Sequence, residues 1–335
     1  MMNAHITGTG AAVPQRILTN EDLEKIVDTS DEWITRRTGI KERRVSNKNH
    51  KESTTDLGTA AARRALEMAG LSPDNIDTIV VATVTADHLF PSAACMIQKE
   101  LEANDAAAFD VSAGCSGFIY ALEQANNSIR MGQVKNVLVI GAERLSSVTN
   151  WKDRGTCVLL GDGAGAVVLQ GKDIDGGILS THIKSDGRFW DLLHSIEGND
   201  YLPETLCDTA TKPFILTMEG NRLFKQAVGS MANIAEKALE QNGLTRNDVD
   251  LVVPHQANIR ILQAVADKLD MPMDKFFTNL QKYGNTSSAS IPLALDEAHR
   301  KGRIKAGDHI LLVSFGAGLT WGSTVMRWTG KRQIA

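Results

Sequence analysis

A chain of 335 residues, 42% hydrophobic and 23% charged, has ample material for a large core and about twice the usual length of one domain. That composition excludes a disordered chain, and no apolar run approaches the roughly 18 residues of a membrane span. The net charge of −4 argues against general nucleic-acid binding, and four scattered cysteines with no C-x-x-C pair argue against a disulfide framework or a zinc site.

The first residues, Met1-Met2-Asn3-Ala4-His5, run directly into a strand-like segment without a charged leader, so a cytoplasmic location is expected. Gly8-Thr-Gly-Ala-Ala-Val-Pro14 imitates a dinucleotide fingerprint, but a third glycine is missing and Pro14 falls where the helix should begin. A helix ending at Gly70 and a buried strand at Thr78-Ile-Val-Val81 come next. Cys95 then falls in an apolar helical segment, where a buried structural cysteine is expected. Phe109-Asp-Val-Ser-Ala-Gly-Cys-Ser-Gly117 leads from a strand into a helix and sets Cys115 where unpaired N–H groups and the helix dipole favour thiolate. After a strand at Val137-Leu-Val-Ile140, the run Gly161-Asp-Gly-Ala-Gly165 precedes another strand and offers no helix N-terminus to a phosphate. Cys157 and Cys207 have no supporting context.

Beyond residue 170 the pattern repeats. Ala65-Leu-Glu-Met-Ala-Gly-Leu71 returns as Ala238-Leu-Glu-Gln-Asn-Gly-Leu244, and Phe118-Ile-Tyr-Ala-Leu-Glu-Gln-Ala125 as Ile291-Pro-Leu-Ala-Leu-Asp-Glu-Ala298. Both are displaced by 173 residues (238 − 65 and 291 − 118). Each half reads as strand, helix, strand, helix, strand, predicting mostly parallel sheets covered on both faces. Residues 1–172 and 173–335 are the expected halves. In the second, Asp250-Leu-Val-Val-Pro-His255 places His255 at the C-terminal end of a strand, the usual active-site edge of an open α/β sheet. Its repeat equivalent is Ala82, so the fold itself does not require a histidine there; the other histidines are expected mostly at the surface. Asn285, in Tyr283-Gly-Asn-Thr-Ser287, lies in the loop before the repeat of the Cys115 helix, where an N-cap or turn role is the plainer reading. Ser314-Phe-Gly-Ala-Gly-Leu-Thr-Trp-Gly322 follows a buried strand and is suited to aim backbone N–H groups at a reacting oxygen, or to serve as a plain turn. The convergence of Cys115, His255 and Asn285 on symmetry-related junctions is the strongest signal.

These residues resemble the β-ketoacyl-acyl carrier protein synthase III family of initiating condensing enzymes. The likeness runs from Thr7-Gly-Thr-Gly10 to Trp321-Gly-Ser323 and includes Asp28-Thr-Ser-Asp-Glu-Trp33, Phe90-Pro-Ser-Ala-Ala-Cys95, Asp153-Arg-Gly-Thr156, Pro254-His-Gln-Ala-Asn258 and Gly284-Asn-Thr-Ser287. It implies a thiolase-like fold, a duplicated αβαβα sandwich, and a homodimer in which Phe90 reaches the partner's acyl pocket. It implies that Cys115 carries the acyl group while His255 and Asn285 act in decarboxylation. The N–H groups of Cys115 and Ala317 would form the oxyanion hole, although the family often has glycine at the second position. Trp33, Arg37, Arg154, Asn221 and Asn258 would hold coenzyme A; Gln256, Ala257, Asn258, Ile259, Arg260 and Lys225 would meet an acidic carrier protein. The substrates would be an acyl-coenzyme A and malonyl-acyl carrier protein, with no metal or redox cofactor and no membrane or nucleic-acid partner. Thiolases need a second cysteine absent from the C-terminal glycine loop, and elongating synthases need a histidine where Asn285 stands. A synthase III relative of a specialised pathway is the alternative within the group. A cysteine thioester hydrolase is the alternative from another class.

Overall fold

Strands rich in Val and Ile, each followed by a helix with an Ala- and Leu-lined face, build two sheets that trap one pair of helices between them. The computed structural model describes residues 2–47, 50–196 and 215–330; Cys207 lies outside them. The first half comprises β1 (Asn3–Ala12), β2 (Ile17–Thr19), α1 (Asn20–Glu24), α2 (Asp31–Thr38), β3 (Glu42–Arg44), α3 (Thr54–Ala69), β4 (Thr78–Ala82), α4 (Ala93–Leu101), β5 (Ala107–Val111), α5 (Gly117–Arg130), β6 (Asn136–Arg144) and β7 (Asp162–Lys172). It is followed by β8 (Gly177–Ser185), β9 (Leu193–Ile196), β10 (Ile215–Met218), α6 (Gly220–Gln241), β11 (Leu251–Pro254), α7 (Ile259–Leu269), α8 (Leu280–Tyr283), α9 (Ser290–Arg300), β12 (His309–Gly316) and β13 (Thr320–Arg327).

One sheet has the order β1-β7-β6-β4-β5 and the other β11-β12-β13-β8. The expectation of mostly parallel pairing is corrected. β6 is parallel to β4, and β4 to β5, but β7 runs antiparallel to both β6 and β1. In the second sheet β11 and β12 are parallel, while β13 is antiparallel to β12 and β8. The physical reason is connection length: β12 reaches β13 through a short turn, which permits only a reversal, whereas a parallel return needs a crossover.

Side-chain alternation along each strand sorts the layers. Val137 and Val139 of β6 join Phe118 and Leu122 of α5, Ile291 and Leu295 of α9, and Ile310 and Leu312 of β12 in one core. Leu138 and Ile140 face the other way, toward Leu57, Ala61 and Ile97 of α3 and α4. Leu311 and Val313 of β12 face α6 and α7. Helices therefore lie outside, between and outside the two sheets, giving an αβαβα order. The repeat holds at residue level: β4 and β11, α5 and α9, and β6 and β12 begin 251 − 78, 290 − 117 and 309 − 136 residues apart, 173 each time. Gly8 and Gly10 belong to β1 and press against α3, where an added Cβ would meet Ala69 N and Ala65 N at 2.8 and 2.6 Å; close packing, not a cofactor, explains them.

One more expectation is corrected. Cys95 is exposed, because α4 buries the line Ala93, Ala94, Ile97 and Leu101 and Cys95 falls off that face. The histidines other than His255 are mostly at least partly exposed, as expected; His5 and His299 are buried, tucked against Thr329 and Trp328 near the end of the described chain. Among the described residues no helix is long and apolar enough to cross a membrane.

Candidate active site

Cys115 is the middle residue of a single 3-10 turn, Gly114–Ser116, leading into α5. The turn between β12 and β13 lies directly on it. Gly114 has φ +54°, and a Cβ there would sit 2.8 Å from Ala317 N; one on Gly316 would sit 2.5 Å from Cys115 N. Glycine at both places lets the two backbones touch. Ser314 Oγ donates to Cys115 O at 2.8 Å and Thr320 Oγ1 to Ala113 O at 2.7 Å, fastening the contact across the two halves. The Ser287 hydroxyl and the N–H groups of Cys115 and Ala317 favour the ionised form of the thiol. Burial outweighs them and pushes the thiol up to about 11. Burial thus opposes the ionisation that the helix terminus favours. Ala317 brings no left-handed strain, since the described non-glycine residues of positive φ are Glu102, Asp270 and Ser287.

His255 follows β11, its N–H donating to Val313 O at 2.8 Å, with 3% of its surface exposed. Burial drives the imidazole down to about 4, so it is neutral at physiological pH. Its Nδ1 lies 3.1 Å from Ser290 Oγ, which is 3.3 Å from Thr286 Oγ1. If Thr286 donates to Ser290 and Ser290 to Nδ1, the proton stands on Nε2 and that nitrogen is a donor.

Asn285 is pinned from the first half. Its N–H donates to Leu159 O at 2.8 Å, and Gly161 N–H donates to its carbonyl at 2.9 Å. Gly284, at φ +65°, makes room, since a Cβ there would sit 2.7 Å from Leu159 O. The Asn285 Oδ1 accepts from Ser287 N–H at 2.8 Å, which fixes the amide and leaves Nδ2 as the donor end. One turn thus joins the three residues: Ser287–Ala289 packs against the Cys115 turn, Ser287 N–H holds Asn285, and Ser290, within reach of Thr286, meets His255. Sequence reasoning missed Ser287 and Ser290. The available signal was the hydroxyl-rich run Ser287-Ser288-Ala289-Ser290, all at most 2% exposed, at the start of α9.

At the surface, Trp33 stands between two guanidinium groups, Arg37 at 4.8 Å and Arg154 at 5.2 Å from the ring centre. Arg154 also donates to Asp28 O at 2.8 Å. Asn221, Lys225 and Arg260 are exposed, and Asn258 caps α7 by accepting from Arg260 N–H at 2.9 Å. Ala257 and Ile259 are partly exposed beside it. Gln256 corrects the expectation of a carrier contact. It is 1% exposed, and its amide holds Pro254 O, Phe277 O and Asn279 N at 2.8, 3.1 and 3.0 Å, so it braces the His255 loop from within. Phe90 is 83% exposed.

Comparison with known proteins follows the same lines. Residues 109–187 match the family 3-oxoacyl-[acyl-carrier-protein (ACP)] synthase III, and residues 239–328 its C-terminal part. The β-ketoacyl-[acyl-carrier-protein] synthase III of Thioalkalivibrio sulfidiphilus is 52% identical, over 98% of this chain and all of that one. The crystal structure of the Aquifex aeolicus synthase III is 50% identical and superposes with a TM-score of 0.90, covering 97% of this chain and all of that one. The priming β-ketosynthase of the R1128 polyketide biosynthetic pathway is 36% identical with a TM-score of 0.91, over 98% and 96% of the two chains. Identity at this level over nearly the whole length, on the same duplicated sandwich, means that the chain belongs to the 3-oxoacyl-[acyl-carrier-protein] synthase III family.

Proposed function

We propose that Cys115, His255 and Asn285 divide between them the two stages of an initiating condensation. An acyl-coenzyme A primer and malonyl-acyl carrier protein give 3-oxoacyl-carrier protein, coenzyme A and carbon dioxide. The observation that carries this reading is the packing of the Cys115 turn against the turn Ser287–Ala289, which holds Asn285 by its amide oxygen and leads into Ser290, the partner of His255, so that a nucleophile meets two neutral donors. In the first stage Cys115 attacks the primer thioester, and the N–H groups of Cys115 and Ala317 meet the developing oxyanion. In the second, His255 Nε2–H and Asn285 Nδ2–H donate to the malonyl thioester oxygen as carbon dioxide leaves and enolate charge grows there. The carbanion then attacks the acyl-cysteine. A neutral imidazole suits this role, because it donates a hydrogen bond and keeps its proton through the step. Residues 1–172 supply the nucleophile and 173–335 the two donors.

Coenzyme A enters past Trp33, whose ring, flanked by Arg37 and Arg154, suits an adenine with its phosphates; Asn221 and Asn258 complete this binding set. Arg260 and Lys225, both exposed beside the His255 helix and α6, suit an acidic carrier. A second copy of the chain is the partner proposed for the edge of β5, where Leu89, Phe90 and Phe109 are 97%, 83% and 42% exposed. Phe90 would then close the acyl pocket across that contact. Mass spectrometry after incubation with acetyl-coenzyme A tests the reading: a 1:1 acyl adduct on Cys115 is expected, and an adduct on Cys95 or Cys157 instead would overturn it.

A further inference from the structure

Glu143, near the end of β6, has none of its surface exposed and makes no ion pair among the described residues. A buried carboxyl without a cation is costly when ionised. Its two oxygens meet different surroundings. Oε2 accepts from Val84 N–H at 3.1 Å and lies 2.5 and 3.3 Å from the hydroxyls of Thr85 and Thr83. Both hydroxyls already accept an N–H, Thr85 Oγ1 from Arg144 at 2.8 Å and Thr83 Oγ1 from Thr85 at 3.1 Å. Their own protons point at Oε2, which is therefore the accepting end of the carboxyl.

Oε1 faces the opposite demand. It lies 2.8 Å from Ser288 Oγ, and that oxygen lies 2.8 Å from the carbonyl of Ala82. A hydroxyl has one proton. Beside an ionised carboxylate Ser288 would have an acceptor on either side, and one of these two close oxygen pairs would lack a hydrogen. With a proton on Oε1, the carboxyl donates to Ser288 and Ser288 donates to Ala82 O, so every contact holds a hydrogen. Burial acts in the same direction and raises the proton affinity of Glu143. The duplication marks the place. Ser288 follows Cys115 by 173 residues (288 − 115), and His255 follows Ala82 by the same interval (255 − 82). Ser288 and Ala82 thus hold, in the opposite halves, the positions of the nucleophile and the histidine. Glu143 bonds this second junction together, and the turn Ser287–Ala289 that carries Ser288 packs against the Cys115 turn.

Resting on the reading of Cys115 as nucleophile, we propose that Glu143 carries a proton on Oε1 at neutral pH and is a positioning residue, a neutral acid that ties the segment after β4 to the Ser288 turn without setting a negative charge beside Cys115. A carboxylate there opposes the thiolate, and the oxyanion and enolate that follow it, because like charges repel strongly away from water. The protonated acid makes the same clamp free of that repulsion. Alternation along β6 puts Glu143 on the side of Val137 and Val139, toward α5 and α9. From these helices it meets Cys115 before α5 and Ser288 before α9; Tyr120 turns away to Lys184 O, and Glu123 and Asp296 lie more than a turn further along. His255, against Ser290, is neutral. β4 and the segment after it bring Thr83 and Thr85. On β7, Gly163 stands opposite Glu143, and Asp162, opposite Arg144, is engaged by Ser46 and Ser146.

The test reads the proton directly. The infrared difference spectrum between the unaltered protein and Glu143→Gln at pH 7 should show the carbonyl stretch of a protonated carboxylic acid; the paired stretches of a carboxylate in its place overturn the proposal. If Glu143→Gln does not fold, carbon-13 labelling of the glutamates in the unaltered protein decides: an acid band that shifts with the label is expected, and its absence is the contrary result. Glutamine imitates the neutral acid, its amide donating to Ser288 and accepting from Thr85 and Val84. Cys115 should therefore react with iodoacetamide, and take an acetyl group from acetyl-coenzyme A in a single turnover, within about threefold of the unaltered rate. Alkylation more than about threefold faster in Glu143→Gln would reveal a charge removed from beside the thiol and would defeat the proposal. The pH dependence of stability reads the same proton by its sign. The unfolded carboxyl ionises near its ordinary 4.5 while the folded one keeps its proton, so above that pH the unaltered protein should lose about tenfold per pH unit in its folding equilibrium relative to Glu143→Gln. A difference that stays flat between about pH 5 and about pH 8 contradicts a protonated Glu143. An acyl adduct on another cysteine of the unaltered protein overturns instead the reading of Cys115, and leaves the infrared band where it is.

Discussion

Ser290→Ala tests whether the proton of His255 is placed by the fold. Ser290 is 1% exposed, and its hydroxyl is the group within hydrogen-bond reach of His255 Nδ1, at 3.1 Å. Removing it leaves a buried ring nitrogen without its partner and frees the imidazole to move its proton to Nδ1, which turns Nε2 from donor to acceptor. Loss of one buried hydrogen-bond partner is worth about 1–3 kcal/mol, a factor of roughly 5 to 150 in a rate that depends on it. Thr286 Oγ1 loses a neighbour at 3.3 Å as well. At about 0.7 kcal/mol per degree of unfolding entropy for a chain of this length, each kcal/mol lowers Tm by only about 1–2 °C, so the variant should remain folded. The assay is carbon dioxide release from malonyl-carrier protein set beside acyl transfer to Cys115. Decarboxylation should fall by at least fivefold and acyl transfer by far less. Decarboxylation unchanged within twofold would refute the argument that Ser290 sets the tautomer.

Three further outcomes follow from the same geometry. Because His255 holds a proton only near pH 4 in the fold but near 6.5 when unfolded, the unfolded chain takes up more protons between those values. Stability should therefore fall as pH drops from about 6.5 to about 4, by roughly 3 kcal/mol from this group, and decarboxylation should show no inflection near 6.5; a denaturant series and a pH–rate profile check both. Gly114→Ala puts a Cβ 2.8 Å from Ala317 N at φ +54° and should displace that N–H from the thiol, lowering acylation on the order of 10²-fold, as single-turnover kinetics would read. Arg260→Glu should raise KM for malonyl-carrier protein at low salt, with the difference shrinking as salt rises, and leave acylation by acetyl-coenzyme A nearly intact.

What the sequence discloses here depends on how far apart the interacting residues stand. The duplication is plain because helix ends, strands and glycines recur at a constant interval, and Gly70 and Gly243 both take left-handed backbone at matching helix ends. Cys115, His255 and Asn285 are legible as chemically capable residues at related junctions. Their support is not. Glu143 reads as one more acidic residue after a strand, and only the fold brings Thr83, Thr85 and Ser288 around it from 58 to 145 positions away. The same limit hides the buried state of His5, whose partner Thr329 is 324 residues distant. Cys95 failed for a different reason: a short run of Ala, Met and Ile resembles a buried helix, but 3.6-residue periodicity turns its third residue outward. At Cys115 the helix-terminus attraction is visible in the sequence and the opposing desolvation is not.

The central claim is the division of labour between Cys115 and the two donors. It is tested most directly by measuring both half-reactions, acyl transfer to Cys115 and decarboxylation of malonyl-carrier protein, in folded His255→Ala and Asn285→Ala. Each substitution removes a donor aimed at charge that appears only in the second stage, a loss on the order of 2.7–4 kcal/mol. Decarboxylation should fall about 10²–10³-fold and acyl transfer far less; an equal loss of both would contradict the account.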